Sequence, residues 1–234
     1  MKRFWEIDFL RGIAIILMII SNFITDLAFF GIYDAPLFWQ VFARITASLF
    51  IFLAGVSLAL SYSRVNKRSN SFMKYFFRGA RIFSWGMAIT LVTWLFMEEG
   101  FVVFGVLHLI GLSIILAYPL LGFRYLNLLL GTAFVAAGLY ASSFLFSFPW
   151  LLWLGFVPAG FYSVDYFPLL PWFGIVLIGL FFGNLLYPGG KRKIRLPETK
   201  NPAINALAFL GRNSLRIYLI HQPVLIGMIY LFAL

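Results

Sequence analysis

Cysteine is absent from this chain of 234 residues. Its absence excludes a disulfide framework, a thiolate metal site and a cysteine nucleophile. Charged side chains are also scarce, at 11% of the residues, and only 2 histidines are present. The sequence contains no P-loop, GxGxxG, HExxH or CxxC pattern. No standard motif for nucleotide binding, zinc hydrolysis or thiol redox chemistry therefore points to a function.

Apolar residues make up 62% of the chain, and the mean hydropathy is +0.95. A soluble domain of this size cannot bury so much apolar surface. The composition therefore predicts an integral membrane protein without an appreciable soluble domain. Because no small-residue cleavage site closes the first apolar stretch, we expect it to be an anchor and not a removed signal peptide.

The apolar stretches predict an all-α, polytopic bundle of about seven transmembrane helices, each near 20 residues long. The predicted spans are Leu10 to Ile32, Phe38 to Tyr62, Ile82 to Phe96, Val102 to Phe123, Leu126 to Leu145, Tyr166 to Tyr187 and Ser214 to Phe232. We expect the third span to extend back through Phe72 to Arg81, and Trp150 to Val157 to be re-entrant or interfacial. No internal repeat is visible, so we expect a single domain over residues 1–234.

Basic residues predict the orientation of the bundle. Lys and Arg lie before the first span and in the loops after the second, fourth and sixth spans, the fourth being followed by Arg124 alone. The alternate loops contain no Lys or Arg, but they do contain acidic residues, namely Asp34, Glu98, Glu99 and Asp165. The positive-inside rule then places the amino terminus in the cytoplasm and the carboxyl terminus outside. We read the net charge of +10 as a topology and lipid-headgroup signal of a multi-pass plasma-membrane protein, with no nucleic-acid partner.

A polar stripe runs along the first span. Its members, spaced to share one helix face, are Asp8, Arg11, Asn22 and Asp26. A charge at the depth of Asp26 costs ~3 kcal/mol or more, so it needs a partner or a function. Arg44 in the second span lies at a similar predicted depth. The sequence leaves open whether an Asp26–Arg44 ion pair is a structural clamp or part of a functional site.

The two histidines, His108 and His221, also lie inside predicted spans. Histidine is the side chain best suited to proton transfer near neutral pH. Each is either a hydrogen-bonding residue between helices or, with Asn22 and Asp26, part of a shared polar cavity. No close ligand spacing supports a metal site, and we expect none.

Four segments of the chain resemble one family. They are RFWEIDFLRGIAIILMIISNF at the start, SLFIFLAGVSLALSYSR in the second span, FGVLHLIGLS in the fourth and GRNSLRIYLIHQP in the last. Together they are similar to the catalytic domain of heparan-alpha-glucosaminide N-acetyltransferase, and the last segment also resembles the wider membrane acyltransferase superfamily. The resemblance covers much of the first 120 residues and about the last 25.

The resemblance implies transfer of an acetyl group from cytosolic acetyl-CoA to an amino sugar or similar acceptor on the outer side. Asn22 matches an asparagine expected near the acetyl group, and His221 matches the family's histidine in the last span. In one place the chain departs from the family pattern. After the asparagine the lysosomal enzyme has its main catalytic histidine, whereas this chain reads FITDLAFFGIYDAP.

These residues suggest a mechanism. The base is His108 or His221, oriented by Asp26, while Asn22 donates a hydrogen bond to the thioester oxygen. The predicted residues around the CoA phosphates are Asp8 and Arg11 of the opening segment with Arg64, Lys67 and Arg68 of the basic inner loop.

Two other functions remain open from the sequence. The polar stripe could line a proton or solute path in a small-solute or lipid transporter or flippase, although seven spans without a repeat lack the two-fold architecture usual in transporters. The third reading is a non-catalytic membrane assembly protein. Membrane lipids are expected partners in each case, and larger members of the family can dimerise, which leaves a homodimer open.

Overall fold

The computed structural model describes residues 4–64, 71–194, 196–197, 199 and 201–232. Within these ranges the regular structure is helical, without a strand, which confirms the all-α prediction. The eight α-helices of the described chain are α1 (Trp5–Phe29), α2 (Leu37–Ser63), α3 (Ser71–Phe96), α4 (Val106–Leu116), α5 (Tyr125–Ala141), α6 (Leu169–Leu186), α7 (Pro202–Arg212) and α8 (Ser214–Phe232).

Five of these helices are long and apolar enough to cross a membrane, namely α1, α2, α3, α6 and α8. Helices α4 and α5 are apolar but shorter, at 11 and 17 residues. At about 1.5 Å per residue, α4 is too short to span a bilayer core of about 30 Å by itself. The polytopic helical membrane bundle is confirmed, while the count of seven spans stays a prediction.

The predicted extension of the third span is confirmed. Helix α3 runs without interruption from Ser71 to Phe96, so the amphipathic stretch Phe72 to Arg81 belongs to it. The segment Trp150 to Val157, predicted to be re-entrant or interfacial, forms a series of turns. These turns are tied to the next segment, because the hydroxyl of Tyr166 donates to the carbonyl oxygen of Leu152 over 2.7 Å.

The chain divides into two compact units, residues 1–53 with 195–234 and residues 54–194. The first unit contains α1, the first part of α2, α7 and α8. Helix α7 packs antiparallel against the start of α1, backbone to backbone. A Cβ atom on Gly12 would meet the carbonyl oxygen of Leu207, and one on Gly211 would meet that of Asp8. Only glycine permits such a close approach of two helices.

Helix α7 was not predicted, since its residues lie between the sixth and seventh predicted spans. Its start has the usual signals of a helix amino terminus. The side chain of Asn201 accepts a hydrogen bond from the backbone N–H of Ala203 over 2.9 Å, and Pro202 occupies the first position. Its end is closed by Asn213, whose side-chain amide donates to the carbonyl oxygen of Phe209 over 3.0 Å. The carbonyl oxygen of Asn213 then accepts from Ile217 at the start of α8.

Helices α1 and α8 run parallel to each other. Their contacts follow the same order along both helices, with Asn22 on His221, Asp26 on Gln222 and the ring of Phe30 on that of Tyr230. In a membrane protein, two spanning helices that run parallel cross in the same direction. This is the arrangement that an odd number of crossings requires, as in the predicted topology.

The second unit contains the rest of α2 with α3 to α6. Its helices also approach through glycine, because a Cβ on Gly55 of α2 would meet the carbonyl oxygen of Val176 in α6. The start of α4 is held by Asp165, whose carboxylate accepts a hydrogen bond from the N–H of Val106 over 3.3 Å. A carboxylate at this position satisfies a free N–H and interacts favourably with the helix dipole.

Candidate functional site

The centre of the candidate site is a hydrogen bond between Asn22 and His221. The side-chain nitrogen Nδ2 of Asn22 lies 2.7 Å from Nε2 of His221, and it also donates to the sulfur of Met18 at 3.2 Å. His221 is 8% exposed, and Asn22 is half-buried. The structure thus brings together Asn22, which the resemblance placed near the acetyl group, and His221, which it matched to the family's histidine in the last span.

The backbone of α8 fixes the tautomer of His221. Its Nδ1 lies 2.6 Å from the carbonyl oxygen of Tyr218, and a carbonyl oxygen can only accept, so Nδ1 carries the proton and donates it. The lone pair of neutral His221 is therefore on Nε2, where it accepts the hydrogen bond of Asn22. The site holds a neutral imidazole with its basic nitrogen aimed at a side-chain amide.

A second pair lies one helical turn further along α1. The side chain of Gln222 donates from Nε2 to Oδ1 of Asp26 over 2.7 Å. The predicted partner of Asp26 was Arg44, and this prediction is wrong for the described chain: Arg44 is exposed and forms no ion pair with Asp26. Depth had suggested Arg44, but depth does not tell which way a side chain points around the helix axis.

Two consecutive residues of α8 thus meet two residues of α1 that are one turn apart. Gln222 was not among the predicted site residues. A signal for it was present, since it is a polar residue beside His221 in an otherwise apolar span. The next residue, Pro223, lies inside α8 and has no N–H to donate to the carbonyl of Leu219. This turn of the helix therefore has one backbone hydrogen bond fewer.

The other histidine, His108, lies in the second unit and has a different environment. It is 1% exposed. Its Nδ1 accepts a hydrogen bond from the backbone N–H of Gly105 over 3.1 Å, so its proton is on Nε2, which lies 3.4 Å from the hydroxyl of Thr90. Its ring is stacked on Phe104 and meets Phe83 edge-on. These contacts make His108 a capping and packing residue of α4.

The predicted CoA-binding residues differ in their burial and in the part of the structure where they lie. Asp8 is buried and Arg11 half-buried in the first two turns of α1, and Arg64 follows the end of α2 in the second unit. Lys67 and Arg68 lie outside the described residues. The roles of all five in CoA binding stay predictions.

Metal ligands do not gather in the part of the chain that the structure describes. No three His, Cys, Asp or Glu side chains of the described ranges lie close enough together to hold a metal ion. The absence of a metal from the reaction stays a prediction.

Comparison with known proteins identifies the family. The model of the family described as heparan-alpha-glucosaminide N-acetyltransferase, catalytic, matches residues 3–223. The matched region contains Asn22, Asp26, His221 and Gln222. No curated protein and no solved structure matched the chain. The match spans nearly the whole chain, and the chain belongs to the heparan-alpha-glucosaminide N-acetyltransferase catalytic family of membrane acetyltransferase-like proteins.

Proposed function

We propose that this protein transfers an acetyl group from acetyl-CoA to an amino sugar or similar acceptor on the outer side of the plasma membrane. The observation that supports the proposal most is the hydrogen bond between Asn22 and His221 at 2.7 Å. It joins a basic nitrogen to a hydrogen-bond donor, the two groups that acyl transfer requires on either side of the reacting atoms.

His221 is the general base in this proposal. Because Nδ1 donates to the carbonyl of Tyr218, the lone pair is on Nε2, which takes a proton from the attacking amine once Asn22 has moved away. The charged imidazolium that forms keeps its hydrogen bond to this carbonyl, which stabilises it. We prefer His221 to His108, because the lone pair of His108 accepts from a backbone N–H at the start of α4, whereas that of His221 accepts from a side chain, Asn22, which can rotate away.

Asn22 is the donor to the thioester oxygen. In the resting protein its N–H groups point to Nε2 of His221 and to the sulfur of Met18. Sulfur is a weak acceptor, so an N–H leaves it for a carbonyl oxygen at little cost. Entry of the substrates separates Asn22 from His221. The acceptor N–H then takes the place of Asn22 at Nε2, and the reacting carbon lies between base and donor.

Arg11 is the proposed contact for the CoA phosphates within the first unit. It lies on the same face of α1 as Asn22, about 16 Å nearer the amino terminus. That separation suits an extended pantetheine arm with the phosphates at the cytoplasmic end. A carboxylate repels phosphate, so we assign Asp8, three residues before Arg11, to orienting the guanidinium.

The test is acetyl transfer by purified protein in proteoliposomes, supplied with labelled acetyl-CoA on one side and D-glucosamine on the other. We expect labelled N-acetylglucosamine and free CoA in equal amounts. Neither CoA release nor product across a series of amino sugars and alcohols would overturn the proposal. Uptake of glucosamine without acetyl-CoA would favour the transporter instead.

A further inference from the structure

The pair Asp26–Gln222 lies one turn from Asn22 and His221 in the same unit, and the steps proposed above do not use it. The described contact of Asp26 is with Gln222 and not with the histidine that the sequence expected it to orient. We propose that Asp26 binds the amino group of the acceptor and makes the site selective for amines over alcohols, and that Gln222 positions its carboxylate. The inference rests on the proposed function for the identity of the attacking group. Its test is independent of turnover.

The two oxygens of Asp26 have different surroundings. Oδ1 accepts the hydrogen bond of Gln222 over 2.7 Å. Oδ2 is buried, and no residue of the described chain donates a hydrogen bond to it. A buried carboxylate oxygen without a donor is unfavourable. A ligand that brings a donor to Oδ2 removes this cost, and the fixed Oδ1 keeps the carboxylate in one orientation while it binds.

An ammonium is the ligand group best suited to donate a hydrogen bond to Oδ2 of Asp26. It carries three donors and a positive charge, whereas a hydroxyl carries one donor and no charge. The exposed Arg44 does not compete for Asp26 within the described chain. A single charge-assisted contact of this kind at a partly buried site gives a marked preference for amines.

The spacing of the two pairs suits one bound amine. Asn22 and Asp26 are separated by about 6 Å along α1. Their partners His221 and Gln222 are adjacent in α8, so we place the bound nitrogen between Oδ2 of Asp26 and Nε2 of His221. In its bound position the amine faces the base on one side and the carboxylate on the other.

The proton balance is complete with these two residues. The bound ammonium passes one proton to Asp26 and becomes a neutral amine, which attacks the thioester carbon. The N–C bond forms and the C–S bond breaks, with the second amine proton going to Nε2 of His221. The CoA thiolate takes the proton of Asp26. Ammonium and acetyl-CoA thus give the amide, CoA thiol and one proton, which His221 releases to water.

The experiment compares two sugars that differ only in one group, D-glucosamine and D-glucose, by calorimetric titration of the purified protein with CoA present. We expect glucosamine to bind the wild-type protein at least 10-fold more tightly than glucose. The Asp26→Asn variant keeps an oxygen for Gln222. Its affinity for glucosamine should fall to its affinity for glucose. The matched control is Thr25→Val, an exposed neighbour whose hydroxyl donates only to the carbonyl of Ser21.

Gln222→Leu tests the positioning role. We expect it to weaken glucosamine binding several-fold and, where turnover is measured, to raise the KM for glucosamine with kcat nearly unchanged. If Gln222 mattered only for folding, its substitution would leave the ratio of the affinities for glucosamine and glucose unchanged. Unchanged sugar selectivity in this variant would overturn the role of Gln222.

The outcomes separate the inference from the proposed function. Equal affinities for glucosamine and glucose in the wild-type protein, or an unchanged preference in Asp26→Asn, would overturn the inference even if acetyl transfer is observed. A preference that is lost in Asp26→Asn supports the inference, and it does so whether or not acetyl-CoA is consumed. Absence of transfer in that case would count against the proposed function alone.

Discussion

Asn22 and His221 are 199 residues apart in the sequence, yet their side-chain nitrogens lie 2.7 Å apart between helices α1 and α8. The contact joins two of the four segments that resemble the family, the opening segment and the last span. Because the tautomer of His221 is fixed by the backbone of α8, the proposed tasks of the two residues differ. Asn22 is the proposed donor to the thioester oxygen and His221 the proposed base.

Replacing Asn22 with Ala removes the proposed donor to the thioester oxygen. We expect kcat for acetyl transfer to fall by ~10²-fold or more, as for the loss of an oxyanion donor, with little change in the KM for acetyl-CoA. The matched control is Asn205→Ala on the exposed face of α7, which should leave kcat unchanged. Full activity of Asn22→Ala in the steady-state assay would rule out the donor role.

The two histidines should respond differently to the same substitution. His221→Ala removes the proposed base, and we expect kcat to fall by ~10²–10⁴-fold. His108→Ala leaves the N–H of Gly105 without its acceptor and opens a cavity beside Phe83 and Phe104. It should lower the free energy of unfolding by about 2–4 kcal/mol while the activity per folded molecule is kept.

Thermal unfolding in detergent, combined with activity normalised to folded protein, separates these effects. A His108→Ala protein that is stable but inactive would reverse the assignment of the base. Full turnover by the double variant His108→Ala, His221→Ala would remove histidine from the mechanism altogether.

The sequence predicted the members of the site better than their pairing. Helical periodicity placed Asn22 and Asp26 on one face of α1, and the side-chain chemistry marked His221. The partner of Asp26 could not be predicted, because depth and charge favoured Arg44 over the neutral Gln222. Only the rotation of α1 and α8 about their axes decides which side chains meet, and a single sequence does not contain that information.

Helix α7 shows a second limit of prediction from the sequence. Hydropathy finds long apolar runs, and an 11-residue amphipathic helix is too short to register as a span. Its cap residue Asn201 and the first-turn Pro202 were available as signals. The packing of α7 could not be predicted in this way. Its contact with α1 depends on Gly12 and Gly211, and glycines inside apolar segments are too common in membrane proteins to mark a contact.

Gly211→Ala tests the contact between α1 and α7. The added Cβ meets the backbone carbonyl of Asp8, which no side-chain rotation relieves, so the helices must separate. We expect the free energy of unfolding to fall by about 1–3 kcal/mol. The control is Gly227→Ala in α8, where a Cβ meets no atom of the described chain within 4 Å. Since alanine favours a helix, this variant should be unchanged or more stable by about 0.5–1 kcal/mol.

Equal losses of stability in the two glycine variants would indicate that the effect comes from the helices themselves and not from their contact. Thermal unfolding in the same detergent, monitored by circular dichroism, gives the comparison directly.

The orientation of the chain can be measured cleanly because the protein contains no cysteine. Each single-cysteine variant then has one labelling site, and the unmodified protein is the blank. Suitable exposed positions are Asp34 after α1, Lys191 after α6 and Phe232 at the end of α8. An impermeant maleimide should label Asp34→Cys and Phe232→Cys in intact cells, and Lys191→Cys only after permeabilisation.

The expected pattern has two separate reasons. The basic residues predict that Lys191 is cytoplasmic, and the parallel contacts of α1 with α8 require that the ends of these helices emerge on the same side. Labelling of Asp34→Cys and Phe232→Cys from opposite sides would contradict the parallel arrangement, and with it the contact of Asn22 with His221. If Lys191→Cys is labelled in intact cells and the other two variants only after permeabilisation, the contact is kept and the predicted orientation is reversed.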